Sequence, residues 1–119
     1  MPLSDERQQE IKTTLKRCSE ATIAAALRYS TTLSDDDLDA IIRGVLQRDL
    51  PEERVAGLAM ATDASRISED IGMDSFGMID VVMTAEEVLG ISIENNEMRG
   101  LSTLGDLKQF LKAKTQALS

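Results

Sequence analysis

Ser75 is the side chain in this 119-residue sequence best placed to hold chemistry, and its neighbours decide what kind. It closes the run Glu69-Asp70-Ile71-Gly72-Met73-Asp74-Ser75, where a loop gives way to a long apolar-periodic stretch. Gly72 supplies the backbone freedom that a sharp turn needs. Asp74 has the chemistry of an N-cap, since its carboxylate can accept from the free N–H groups of a first helical turn. Ser75 then falls in that first turn, exposed at the positive end of the helix dipole. Such a place suits a plain first-turn serine or one that carries a phosphate-linked group, and local spacing leaves both open.

The rest of the composition narrows the chemistry. The chain has no histidine, which removes a Ser-His-Asp hydrolase, a Cys-His protease and a His-ligated metal site together. Cys18 is the only cysteine, so no intramolecular disulfide forms, and no His or Lys pairing is evident to activate it; it reads as a small packed hydrophobe. The acidic run Asp35-Asp36-Asp37-Leu38-Asp39 fails as a calcium loop, because Ala40 and Leu46 stand where the turn glycine and the closing glutamate would be needed. It reads as the first turn of a helix, where the dipole favours negative charge.

A net charge of −8 argues against nucleic acid and anionic membrane as partners and favours basic protein surfaces. With only Phe76, Phe110 and Tyr29 as aromatics and 6 methionines, the core must be aliphatic and adaptable. The N-terminal sequence lacks the apolar stretch of a signal peptide, and no run reaches membrane-spanning length, so the cytoplasm is the expected compartment.

The elements that position Ser75 follow from periodicity. Residues 4–29 read as one helix capped by Ser4, with Ile11, Leu15, Cys18, Ala21 and Ala25 along a thin apolar face that packs on the body of the protein. Ser30 to Leu33 breaks the pattern. Ser34 opens the next helix with Asp37 completing a capping box, and Leu38, Ile41, Ile42, Val45 and Leu46 form its stripe up to Pro51. Residues 51–73 read mostly as loop, pinned by Val55, Leu58 and Met60, with Ala56 to Ala61 as a short helical turn and Ile67 and Ile71 facing inward. Ser75 to Leu89 is the most apolar helix and hence central to packing; Gly90 stops it. A short turn over Glu94 to Arg99 precedes the last helix, which Thr103 and Asp106 cap and which frays after Lys114. The fold class is all-α: a small bundle of three longer helices and one short one, plus an additional N-terminal helix. Net charge divides sharply, +1 over residues 1–33 and −9 over residues 34–119, which sets 1–33 apart as an N-terminal extension to a domain spanning 34–119.

With this order in hand, residues 34–115 resemble an acyl carrier protein. The stretch from Glu69 to Phe76 is similar to that family's attachment motif: an acidic pair, an aliphatic residue and Gly-x-Asp-Ser. Val81 to Ile93 resembles its recognition helix and following loop, and Ser102 to Leu107 the start of its last helix. The resemblance runs without gaps from Glu69 to about Leu111, weakens over 34–68 and is absent over 1–33. It implies a four-helix carrier fold with 4′-phosphopantetheine on Ser75, attached by a phosphopantetheinyl transferase that uses coenzyme A and a divalent metal. The chain would then be a monomeric carrier and no enzyme, holding acyl groups as thioesters for acyl-transferring or condensing enzymes with basic docking patches. By the same resemblance, Asp74, Phe76, Asp80, Met83, Glu86 and Glu87 are docking residues, and Ile79, Met83, Ile93, Met98 and Leu101 line a shelter for the acyl chain.

Three features depart from the family pattern: Gly77 where a polar or acidic residue is usual, Phe76 in place of Leu, and the N-terminal helix. They point to a dedicated pathway, for a specialised lipid, a polyketide-type product or another small acyl group, rather than to the general fatty-acid enzymes as partners. Asp74 argues against the peptide-synthesis branch, which favours an uncharged residue or His there. The competing function is an unmodified carrier-like module that serves as a non-catalytic subunit of an enzyme complex.

Overall fold

The computed structural model describes residues 3–117. Its helices are α1 (Asp5–Thr14), α2 (Glu20–Thr32), α3 (Asp35–Asp49), α4 (Glu52–Ala59), α5 (Ser75–Leu89) and α6 (Leu104–Gln116), with a π-helical turn at Ile67–Ile71 and a 3-10 turn at Asn95–Met98. No strand occurs among the described residues, only an isolated bridge between Arg66 and Thr103. No helix among them is long and apolar enough to cross a membrane.

The expected single helix over 4–29 is two helices. Leu15 ends α1, and the Ser19 hydroxyl accepts the Thr22 N–H at 3.2 Å to begin α2. A serine that caps a new first turn competes with continuing the old helix, and here the cap wins. The rotation at the break buries Thr22, Ala25, Ala26 and Tyr29 and turns Ala21 to solvent, while Cys18 is half-buried. Burial pushes the Cys18 thiol above its ordinary value, against the nearby Arg48 charge. Gly44 lets α2 approach α3 closely, because a Cβ there would fall on the Thr22 side chain.

Helix α2 continues through Ser30 and Thr31 to Thr32, with Leu33 in the left-handed conformation at φ 50°. Ser34 caps α3 as expected, by accepting the Asp37 N–H. Asp37 itself does not complete a capping box; its carboxylate takes Arg28 from α2 at 3.0 Å and the Thr32 hydroxyl at 3.3 Å. The stripe Leu38, Ile41, Ile42, Val45 and Leu46 is fully buried.

The helical turn expected over Ala56 to Ala61 is the end of a longer helix: α4 starts at Glu52 and runs to Ala59, buries Leu58 and leaves Met60 exposed to solvent. Arg43 holds its far end, donating to the carbonyls of Leu58 (2.9 Å) and Ala61 (2.8 Å). The last helix runs on to Gln116, with no fraying after Lys114. The Thr115 hydroxyl donates to the Lys112 carbonyl at 2.9 Å, which leaves its oxygen to accept the Tyr29 hydroxyl at 2.8 Å. One continuous core joins Ile11, Leu15, Ala25 and Tyr29 of the N-terminal helices to Leu46, Ile71, Val88, Leu104 and Leu111.

Candidate functional site

The site is built from the loop before α5. Ile67 and Ile71 are buried and anchor it. Between them the chain winds one residue wider than an α-helix, with the Ile71 N–H on the Arg66 carbonyl at 3.0 Å. The acidic pair is spent within the loop. Asp70 accepts the Arg66 backbone N–H at 2.8 Å, and Glu69 pairs with the Arg66 guanidinium at 2.8 Å. Gly72 then turns the chain at φ +89°, a left-handed value that a side chain would strain. The loop is stitched to the start of α6 by Ile67 N–H to Ser102 O, Leu104 N–H to Ser65 O and Gly105 N–H to Asp63 O, each at 2.9 Å. Both walls beside Ser75 are thereby fixed.

Asp74 caps α5 as expected, its carboxylate accepting the Gly77 N–H at 2.6 Å. Ser75 is the first residue of α5 and is exposed. No described residue hydrogen-bonds its hydroxyl, and the Asp74 carboxylate is committed to the cap. No described residue is placed to activate this oxygen as a nucleophile. The geometry suits a tether: a free hydroxyl on a rigid helix start, where the dipole and the first-turn N–H groups favour a phosphodiester charge. Ser75 opens onto a cleft of about 750 Å³ whose apolar lining includes Ile67, Met73, Met78, Met98 and Leu101.

Residues 36–111 match the family model described as "Phosphopantetheine attachment site". The chain belongs to this family of phosphopantetheine-binding carriers. Its cofactor is covalent 4′-phosphopantetheine, and the free hydroxyl at the helix start fits that group. Among similar proteins are the acyl carrier protein of Arthrobacter sp. (strain FB24), 37% identical over 50% of this chain and 89% of the relative; that of Renibacterium salmoninarum, 32% identical over 61% and 89%; and that of Thermotoga maritima, 27% identical over 47% and 69%. No solved structure matches.

On this carrier the candidate docking residues other than Asp74, whose carboxylate caps α5, divide into two groups. Phe76 (81% exposed), Asp80 and Met83 (53% exposed) lie on one open strip of α5, joined by Ile79. Glu86 and Glu87 make bonds within the chain: Glu86 accepts the Ile93 N–H at 2.9 Å, and Glu87 accepts the Thr14 hydroxyl of α1 at 3.3 Å. Of the candidate lining residues, Met98 and Leu101 border the cleft at Ser75. Ile79 and Met83 lie on the outer strip, and Ile93 is half-buried beyond the end of α5.

Sequence reasoning missed Met73, Met78 and Arg7. Met73 and Met78 stand at the positions flanking the cap where an apolar pair staples a helix start, and that spacing was the available signal. Arg7 of α1 donates to the carbonyls of Glu87 (2.6 Å) and Val88 (2.9 Å), closing the C-terminus of α5 from a distance of some eighty residues in sequence. Nothing local announces such a bond.

Proposed function

We propose that this chain is a discrete acyl carrier with its phosphopantetheine arm on Ser75. The observation that carries the reading is an exposed, unbonded serine hydroxyl at a capped helix start, beside an apolar cleft, inside the region that matches the family model. When attached, the arm presents a thiol that holds acyl groups as thioesters. The Ser75 oxygen attacks the phosphorus of coenzyme A that bears the pantetheine, 3′,5′-ADP leaves, and a phosphopantetheinyl transferase supplies the divalent metal and the base that takes the serine proton.

Residues 34–119 form the carrier unit in this reading, and 1–33 brace it through Arg7, Ile11 and Leu15. The open strip of Phe76, Asp80 and Met83 meets acyl-transferring or condensing enzymes, and their basic patches answer the −9 charge of residues 34–119. Asp74, Glu86 and Glu87 add charge at the two ends of that strip. The pathway served is one that makes or extends acyl chains: fatty acid, specialised lipid or polyketide-type.

Incubation with coenzyme A and a broad-specificity transferase tests the reading. The chain should gain the mass of one phosphopantetheine, and Ser75→Ala should gain none. Equal gain by both proteins would place the arm elsewhere, and no gain by either would remove the carrier function.

A further inference from the structure

An arm on Ser75 adds a phosphodiester anion to a segment that already holds Glu69, Asp70 and Asp74. Asp74 also takes the Gly77 N–H, one of the first-turn donors that would otherwise face an anion. A cation near the loop before α5 would offset this charge, and three arginines on neighbouring elements are already committed. Arg66 pairs with Glu69 at 2.8 Å. Arg43 pairs with Asp39 at 2.9 Å and donates to the carbonyls of Leu58 and Ala61. Arg48 pairs with Asp49 at 3.0 Å and donates to the Thr84 hydroxyl at 2.8 Å.

Arg54 of α4 differs from all three. It is exposed, and its guanidinium makes no hydrogen bond or ion pair with any described residue. Glu52 and Glu53 precede it on the same helix, but residues one and two apart do not face each other. The side chain lies instead across the loop at Gly72. An ideal Cβ on Gly72 would stand 3.0 Å from Arg54 Nε, 3.1 Å from its Cδ and 3.2 Å from its Cζ. Gly72 is therefore needed twice: once for φ +89°, and once because its bare Cα lets the guanidinium rest on the loop. Ser75 follows three residues later, within roughly 10 Å of extended chain.

We propose that Arg54 is the counter-charge for the phosphodiester on Ser75, its guanidinium donating to the non-bridging phosphate oxygens. This rests on the carrier reading above. A guanidinium suits the task, because its planar fork can make two parallel N–H···O bonds to a phosphate and stays charged across the physiological pH range. The long stem of Arg54 lets the head swing from Gly72 to the phosphate without moving α4. The root of the arm is then held at the α4 side of the loop, and the pantetheine portion beyond it stays free to swing.

The test uses the full chain labelled with ¹⁵N-arginine, before and after loading with coenzyme A and a broad-specificity transferase. Loading should shift the Arg54 Nε–H signal and leave that of Arg28, which pairs with Asp37, in place. The ³¹P signal of the loaded native protein should differ from that of the same protein unfolded in urea. Arg54→Gln should move it most of the way to the unfolded position, and Arg54→Lys, which keeps the charge but not the fork, should move it less. Matching backbone spectra of the unloaded native and Arg54→Gln proteins separate a lost phosphate contact from a changed fold. An Arg54 signal unmoved by loading would overturn the inference, as would the same ³¹P position in native and Arg54→Gln proteins. If Arg54→Gln does not fold, the Arg54 signal of the native protein decides alone. A chain that accepts no arm overturns the carrier reading itself, whereas a loaded chain with a silent Arg54 overturns only this inference.

Discussion

Ser75 and Asp74 divide the work at the start of α5: one oxygen stays free, and the other closes the helix. Asp74 accepts the Gly77 N–H at 2.6 Å, so Asp74→Ala should cost about 1 kcal/mol of stability. Asp74→Asn, which keeps the acceptor, should cost much less. Urea midpoints of the two variants check this, and equal losses would show that the carboxylate acts through charge and not through the cap. Both residues were legible in the sequence, because a cap is decided within four residues of chain. Gly77 was not. It looked like a lost side chain, but a Cβ there would fall on Met73 Sδ, which folds back over the turn, and that contact exists only in three dimensions.

At the scale of elements, α6 shows how a cap couples to pH. Thr103 accepts the Asp106 N–H, and the Asp106 carboxylate reaches back to the N–H groups of Ser102 and Thr103, each at 3.2 Å. Those donors hold the Asp106 carboxyl below its ordinary 3.8. A carboxyl whose folded pKa is depressed stabilises the fold above its unfolded pKa, and this is lost as pH falls through the folded value. Asp106→Asn should therefore lower the unfolding midpoint at neutral pH and converge on the native protein as pH falls below about 4. Parallel stability curves for the two proteins would refute the assignment. Bounds such as Ser75–Leu89 could be read because Asp74, Gly90 and a dense apolar run all point the same way. The break between α1 and α2 could not. Cys18 and Ser19 interrupt a weak stripe, and only packing against α3 shows which residues the second segment buries. Helix α4 was hidden for a similar reason: Leu58 is its only fully buried residue, too little for a periodic signal.

The whole molecule is one core, and the N-terminal helices are part of it. Leu15 has no exposed surface and sits in the same cluster as Leu46, Val88 and Leu111. Leu15→Ala should cost about 2–5 kcal/mol, visible as a lower melting temperature of the entire protein. An unchanged melting temperature would mean that residues 1–33 ride on the surface as an independent arm. The sequence showed that this segment differs in charge and needs a neighbour. It could not show that the neighbour is the C-terminal end of α5, which Arg7 reaches across the fold.

The central claim is that Ser75 is a tether. The most direct measurement is peptide-level mass spectrometry of the protein purified from its own cells. The account predicts that the peptide containing Asp74-Ser75-Phe76 carries phosphopantetheine, free or acylated, on the serine. A peptide recovered wholly unmodified, from cells whose other carriers are loaded, would contradict it.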